Sequence, residues 1–119
     1  MRSRRAVAAA VSLLIYAAIF LMSSQPAGSL PSGIPDFIPH AFEFALLAFF
    51  FIQIFAAPRR LPALALAFPL LALLGLLDEC HQMSTPGRVF SWLDVLYDSL
   101  GAVAGMAAYL VLAKRKHNT

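Results

Sequence analysis

The sequence has few charged residues and a single thiol, and both shortages limit what the protein can be. Only 13% of its 119 residues are charged, whereas 61% are hydrophobic, so the chain has too little polar surface to cover a soluble globule. Cys80 is the one cysteine, which excludes an intramolecular disulfide and leaves the redox compartment undetermined. The composition therefore predicts an integral membrane protein.

Four long apolar stretches make up most of the chain. They cover about residues 6–22, 38–57, 61–77 and 92–113, and each is close to the roughly 20 residues with which a helix crosses about 30 Å of hydrocarbon. The apolar runs are continuous rather than alternating, which excludes a closed β-barrel. We predict one domain over residues 1–119, an all-α membrane protein built as a bundle of four transmembrane helices.

Lysine and arginine indicate how this bundle is oriented. Eight of the nine basic residues precede the first stretch, join the second to the third, or follow the fourth: Arg2, Arg4, Arg5, Arg59, Arg60, Lys114, Arg115 and Lys116. The positive-inside rule then places both termini in the cytoplasm and turns the connections 23–37 and 78–91 outward. Anionic lipid is a sufficient partner for these charges, so we expect no nucleic-acid binding.

The first stretch has an alternative interpretation as a secretory signal, because arginines precede an apolar core and small residues follow it. We favour a retained span for two reasons. Ala-x-Ala spacing is absent near its end. Cleavage would also leave an odd number of spans and break the positive-inside pattern.

All the acidic residues lie at the opposite ends of the stretches from the basic ones: Asp36, Glu43, Asp78, Glu79, Asp94 and Asp98. Counting along each helix places Asp98 about 6 Å inside the outer boundary, with His40 and Glu43 about 3 and 7 Å inside. A carboxylate at such a depth costs about 2.5 to 3.5 kcal/mol, so these groups should turn away from lipid and toward one another. The pattern predicts one polar site at the outer membrane face.

The fourth stretch shows which face is packed. Asp94, Asp98, Gly101 and Gly105 follow one another at helical spacing and form a single stripe. Gly101 and Gly105 form a Gly-x-x-x-Gly pair, which lets a neighbouring helix approach closely. This pair can join two helices of one chain or two subunits, so it does not decide whether the protein forms an oligomer.

Other polar residues have simpler predicted roles. His40 and Glu43 are i,i+3 neighbours and share one helix face. Ser12 and Gln53 are isolated within spans, and we expect each to make an interhelical hydrogen bond. Ser91 is expected to cap the fourth helix.

Two runs of the sequence carry a family resemblance. The Asp-Glu-Cys-His-Gln run at 78–82, the Pro-Gly-Arg at 86–88, Asp94 and Gly101 together resemble the signature of the VanZ-like membrane protein family, and 40–44 resembles its upstream His-containing motif. The resemblance covers about residues 36–105. The family usually has a lysine where this chain has Phe37 and an asparagine where it has Asp98, so the charge balance of the site differs here.

The resemblance implies a role in the bacterial envelope and a location in the cytoplasmic membrane. The first-described member of the family lowers susceptibility to the lipoglycopeptide teicoplanin, which implies antibiotic resistance as one outcome. The resemblance supplies no established reaction.

The six carboxylates of the outer layer face one strong base, Arg88, so they cannot all stay ionised and unpaired near hydrocarbon. Protonated carboxyls, cationic histidines or a divalent cation would each offset the excess negative charge. A metal would draw on Glu43, Glu79, Asp94 or Asp98 with His40 or His81, a set that suits Zn, Mn or Fe better than Ca.

Arg88 and the His81–Gln82 pair, both in the outward connection 78–91, each have two possible roles. Arg88 pairs with an acid or captures a phosphate or carboxylate. His81 with Gln82 forms an interfacial hydrogen-bonding pair or an acid–base element.

Two function classes follow from this site, whose predicted members are His40, Glu43, Asp78, Glu79, His81, Gln82, Arg88, Asp94 and Asp98. In the first, the protein binds or shields a lipid-linked envelope precursor or a lipoglycopeptide at the outer leaflet. In the second, it is a small membrane enzyme acting on a lipid-linked phosphate or sugar. There, Arg88 would hold the phosphate while Glu79 or Asp98 acts as base and a histidine acts as acid.

Overall fold

A computed structural model describes residues 2–25, 33–35 and 37–118, and its helices confirm the predicted all-α class. The helices are α1 (Arg2–Ser23), α2 (Phe37–Phe51), α3 (Leu61–Gln82) and α4 (Trp92–His117), and a short 3-10 turn, Ile52–Ile54, extends α2. The described residues contain no strand. All four helices, α2 together with its turn, are long and apolar enough to cross a membrane.

Local sequence explains where the helices begin. Pro39 lies in the first turn of α2 and Pro62 in that of α3, where a proline is tolerated because the first N–H groups of a helix have no helical partner. Ser91 caps α4, since its hydroxyl accepts a hydrogen bond from the Asp94 N–H at 3.3 Å. The predicted cap is confirmed.

Helix α3 is longer than the apolar stretch that predicted it. It continues past residue 77 to Gln82, so residues 78–82, predicted as part of the outward connection, are helical. The helix continues because Asp78, Glu79 and Gln82 are all buried, on the same side of α3 as Gly75. Their polar groups therefore lie between helices, and the backbone keeps its helical hydrogen bonds.

The contacts between helix ends define an alternating bundle. At one end, α1 meets the end of α2, where the Arg5 Nε donates to the Ile54 carbonyl at 2.6 Å. At the other end, the end of α1 meets that of α3 through Ser24 and His81, and the start of α2 meets α4 through His40 and Asp98. Helices α1 and α3 therefore run one way, and α2 and α4 the other.

Charge separates these two ends. The acidic end holds every carboxylate side chain of the described residues, Glu43, Asp78, Glu79, Asp94 and Asp98, together with His40 and His81. The basic end holds Arg2, Arg4, Arg5, Arg59, Arg60, Lys114, Arg115 and Lys116. Asp36, the remaining predicted acid, lies outside the described residues.

Helices α2 and α4 approach at backbone distance. A Cβ added to Gly101 would collide with the backbone of Ala41, and one added to Gly105 would collide with that of Ala45. Both glycines of the Gly-x-x-x-Gly pair therefore pack against α2 of the same chain, on a stripe of alanines. The intrachain alternative accounts for the pair, since this face of α4 is already filled.

The bundle is apolar both in its core and on its outer surface, as expected for a protein surrounded by lipid. A continuous core is formed by buried residues of all four helices: Ile19, Phe44, Leu47, Ala48, Ile52, Ala63, Ala67, Leu71, Ala102 and Met106. Many large apolar side chains face outward instead, such as Leu13 and Leu14, each 70% exposed. In water this surface would drive aggregation, whereas hydrocarbon covers it at no cost.

The expected interhelical bonds of Ser12 and Gln53 are not found among the described residues. The Gln53 amide donates to the Phe49 carbonyl of its own helix at 2.9 Å. The Ser12 hydroxyl is buried without a hydrogen-bond partner. The prediction was wrong for Gln53 because its side chain bonds the carbonyl at i−4 instead. Nothing in the described residues explains the unpaired Ser12 hydroxyl.

Candidate functional site: the polar cluster at the acidic end

The centre of the acidic end is a pair formed by His40 of α2 and Asp98 of α4. The His40 Nδ1 lies 2.9 Å from the Asp98 Oδ1, and the Asp98 residue is completely buried. Gly75 of α3 leaves room for this carboxylate, because a Cβ at that position would lie 3.1 Å from the Asp98 Oδ2. Three helices therefore fix the position of one imidazole.

The other ring nitrogen of His40 points toward the rim of the cluster. Its Nε2 lies 3.8 Å from the Asp94 Oδ2, and the Asp94 side chain is 21% exposed compared with 1% for Asp98. Asp94 lies in the first turn of α4, where the helix dipole favours a negative charge. His40 thus connects a buried carboxylate to one that reaches the surface.

Glu79 joins the end of α3 to the start of α4. Its Oε1 accepts a hydrogen bond from the Ser91 N–H at 2.8 Å, although the residue is fully buried. Since Ser91 is also the cap of α4, its backbone and its side chain both take part in the site. The 83–90 connection is therefore fixed at both of its ends.

Asp78 lies toward α1. Its Oδ2 accepts a hydrogen bond from the Gln82 amide at 3.4 Å, and the same amide reaches the Ser23 hydroxyl at 3.3 Å. The Thr85 hydroxyl donates to the Ser23 carbonyl at 3.2 Å. The end of α1 is thus bound to both α3 and the loop that follows it.

Three buried carboxylate oxygens have no hydrogen-bond partner among the described residues: the Asp78 Oδ1, the Glu79 Oε2 and the Asp98 Oδ2. A buried and unpaired carboxylate is costly, so protons, a cationic His40 or a bound cation must offset this charge. No group of three histidine, cysteine or acidic side chains in the described part of the chain is arranged to hold a metal ion. The metal alternative therefore finds no preassembled ligand set there.

The predicted pair of His81 and Gln82 is divided between two environments. Gln82 is buried and bonds to Asp78, whereas His81 is partly exposed, stacks on Phe20 at a centroid distance of 3.6 Å and lies 2.8 Å from the Ser24 hydroxyl. His81 therefore contacts α1 and not the carboxylates of the cluster.

Arg88 makes no ion pair with a described carboxylate, since none has an oxygen within 4.0 Å of its nitrogens. Its Nε donates instead to the Gln25 carbonyl at 3.1 Å. The guanidinium is still within electrostatic range of Glu43. The acid-pairing alternative is thus not found in the described residues, and the terminal N–H groups make no hydrogen bond there.

Glu43 lies on α2, three residues after His40. It is half-buried, and its carboxylate makes no hydrogen bond with the described residues. It is within electrostatic range of His40, Asp78 and Asp98. Glu43 is therefore the acidic residue of α2 that faces the cluster without being fixed by it.

Sequence reasoning missed the contribution of α1. The Tyr16 hydroxyl donates to the Leu74 carbonyl of α3 at 2.9 Å, and Ser23 is buried beside Gln82. The signal was present, because Ser12, Tyr16 and Ser23 fall on one helical stripe of α1. Considering Ser12 alone concealed this stripe.

Comparison with known proteins gives one family. The family model described as VanZ/LLP1 matches residues 8–113, which include all four helices almost in full. No curated protein and no solved structure matches the chain.

Proposed function

The chain belongs to the VanZ/LLP1 family, and we propose that its acidic end binds a lipid-linked envelope component or a lipoglycopeptide of the teicoplanin type. The bundle would lie in the bacterial cytoplasmic membrane with both termini in the cytoplasm, which turns the acidic end toward the outer leaflet. The positive-inside rule supports this orientation, because the basic end carries eight lysines and arginines.

The spacing between His40 and Asp94 carries the proposal. At 3.8 Å, the His40 Nε2 and the Asp94 Oδ2 are too far apart for a direct hydrogen bond. A ligand hydroxyl or amine placed between them can bond both, because each bond requires only about 2.7 to 3.2 Å. Lipid-linked sugars and lipoglycopeptides both carry such groups.

Arg88 is the reason to expect an anionic group in the same ligand. The part of the chain that the structure describes provides no carboxylate partner for it, and a guanidinium fork binds phosphate or carboxylate with two parallel bonds. The ligand class that uses both features carries an anionic group close to its hydroxyls, as a lipid-linked sugar phosphate does.

A second candidate function is a membrane enzyme acting on such a lipid, and the His40–Asp98 pair favours it. A buried carboxylate that holds one ring nitrogen orients the other for proton transfer. The His40 Nε2 would exchange a proton with a ligand hydroxyl, and Arg88 would hold the phosphate. The same geometry serves binding without a reaction, so only turnover separates the two functions.

The test uses the purified protein in lipid nanodiscs, with a polyprenyl phosphate, a polyprenyl-linked sugar and teicoplanin as probes. We expect at least one probe to bind, and Asp94→Asn and Arg88→Gln each to weaken binding about tenfold, the loss expected for one charge-assisted hydrogen bond. Arg59→Gln, which removes a charge from the basic end, is the matched control. The proposal fails if no probe binds, if Asp94→Asn and Arg88→Gln bind like the original chain, or if Arg59→Gln weakens binding equally.

The enzyme alternative is examined with the same samples. Mass spectrometry of the bound lipid over time should show a product that His40→Gln abolishes, while that variant retains its fold. Unchanged lipid after long incubation would leave binding as the function.

A further inference from the structure

A groove opens at the basic end, between the first turns of α1 and the end of α2 with its 3-10 turn. It holds about 250 Å³ and is lined by residues of both helices: Ser3, Arg4, Val7, Ala8, Phe50 and Gln53. Pockets that enclose whole small molecules hold about 300 to 1,000 Å³. The groove is therefore suited to one headgroup-sized group.

The lining changes from polar to apolar along both helices. Arg4 lies one turn nearer the end of the bundle than Val7 and Ala8, and Gln53 lies one turn nearer that end than Phe50. Val7 is 62% exposed, and in a membrane-spanning helix such a surface is covered by acyl chains. The groove thus places hydrogen-bond donors directly beyond a strip that lipid tails cover.

Charge defines which lipid fits. Arg4 makes no ion pair and no side-chain hydrogen bond with the described residues. Every carboxylate side chain of those residues lies at the acidic end, across the length of the bundle. The adjacent Arg5 is already used, since its Nε donates to the Ile54 carbonyl. The exposed Arg4 guanidinium is therefore available to an anion from outside the described chain.

We propose that this groove binds the phosphate of an anionic membrane lipid, whose acyl chain lies along Val7 and Phe50. Arg4 binds the phosphate oxygens as a charge-assisted donor. The Gln53 amide donates one N–H to the Phe49 carbonyl, which leaves its second N–H for the same phosphate. This site is separate from the polar cluster, because it lies at the other end of the helices.

The experiment measures lipid retention by native mass spectrometry and the melting temperature Tm of the full chain. The probes are phosphatidylglycerol and phosphatidylcholine. We expect phosphatidylglycerol to be retained and to raise Tm by mass action. We expect phosphatidylcholine to do neither, because its choline cation cancels the phosphate charge and would lie beside Arg4. Arg4→Gln should retain phosphatidylglycerol about tenfold less well, the effect of losing one charge-assisted hydrogen bond. Arg59→Gln, which removes an exposed arginine outside the groove, should retain it normally.

Three outcomes would overturn the assignment. One is equal retention by the original chain and by Arg4→Gln. The second is an equal loss in Arg59→Gln, which would indicate a diffuse charge effect. The third is an equal rise in Tm with inorganic phosphate alone, which would make this a site for free phosphate. If Arg4→Gln fails to fold, Gln53→Leu serves as the second variant, with reduced phosphatidylglycerol retention expected.

Discussion

The two ends of this bundle treat their charges in opposite ways. At the acidic end, Asp78, Glu79 and Asp98 are at most 1% exposed and lie between helices. Asp98 contacts His40 of α2 and Glu79 bonds to the Ser91 N–H, whereas Asp78 bonds to Gln82 of its own helix. At the basic end, the arginines and lysines are exposed on the surface of the helices. Ionisable side chains are thus buried in the interior at one end and face solvent or lipid at the other.

This difference shows which ionisable groups require an explanation beyond membrane topology. Exposed cations beside a membrane are explained by anionic lipid and by topology. Buried carboxylates with unpartnered oxygens are costly to fold, and neither topology nor anionic lipid explains them.

The largest loss is expected from Gly101→Leu. Its side chain would enter the backbone of Ala41, so α2 and α4 must separate and the His40–Asp98 pair must break. Overpacking usually costs about 1 to 3 kcal/mol, and a collision with backbone should exceed that range. The measurement is Tm of the detergent-purified protein. Ala104→Leu, on an exposed face of α4, is the matched control, and a similar loss in that variant would contradict this packing.

Breaking the buried pair should have the next largest effect. Asp98→Ala leaves His40 without its partner and should lower the free energy of unfolding by about 3 kcal/mol. His40→Ala leaves Asp98 unpaired and should cost a similar amount. The double variant should cost less than the sum of the two, with a coupling of about 1.5 to 3 kcal/mol. Additive losses in denaturant unfolding would show that the 2.9 Å contact contributes no pair energy.

Removing the cap of α4 should cost less. Ser91→Ala deletes the hydroxyl that bonds to the Asp94 N–H but keeps the backbone N–H that bonds to Glu79. A lost serine cap costs about 1 kcal/mol, and that is the decrease in unfolding free energy we expect. A much larger decrease would mean that the hydroxyl also holds the polar cluster together.

The smallest effect is expected at the basic end. Arg59→Ala removes an exposed side chain, and such surface changes stay within about 0.5 kcal/mol. Thermal unfolding checks this directly. A loss as large as that of Asp98→Ala would remove the contrast between the two ends.

The sequence was sufficient to predict the four helices, the layer of acids at one end and the packed face of α4. These features depend on hydrophobicity and helical spacing, which are properties of single segments. The inward-facing stripe of Asp98, Gly101 and Gly105 was likewise readable.

What was missed depended on contacts between segments. The apolar windows ended α3 at residue 77 because the next residues are polar, although Gly75, Asp78, Glu79 and Gln82 share one helix face and are all buried. That spacing was an available signal. No sequence signal predicts the bond from Arg88 to the Gln25 carbonyl, because every residue carries a backbone carbonyl and only the fold decides which one is near.

Cysteine labelling in cells measures directly whether the two ends of the bundle face opposite compartments. In a Cys80→Ser background, one cysteine is placed at the acidic end by Val89→Cys and, separately, one at the basic end by Ala57→Cys, both at exposed positions. Intact cells are then treated with a membrane-impermeant thiol reagent. We expect labelling of Val89→Cys in intact cells and of Ala57→Cys only after permeabilisation. The reverse pattern would place the polar cluster in the cytoplasm and contradict a site at the outer leaflet.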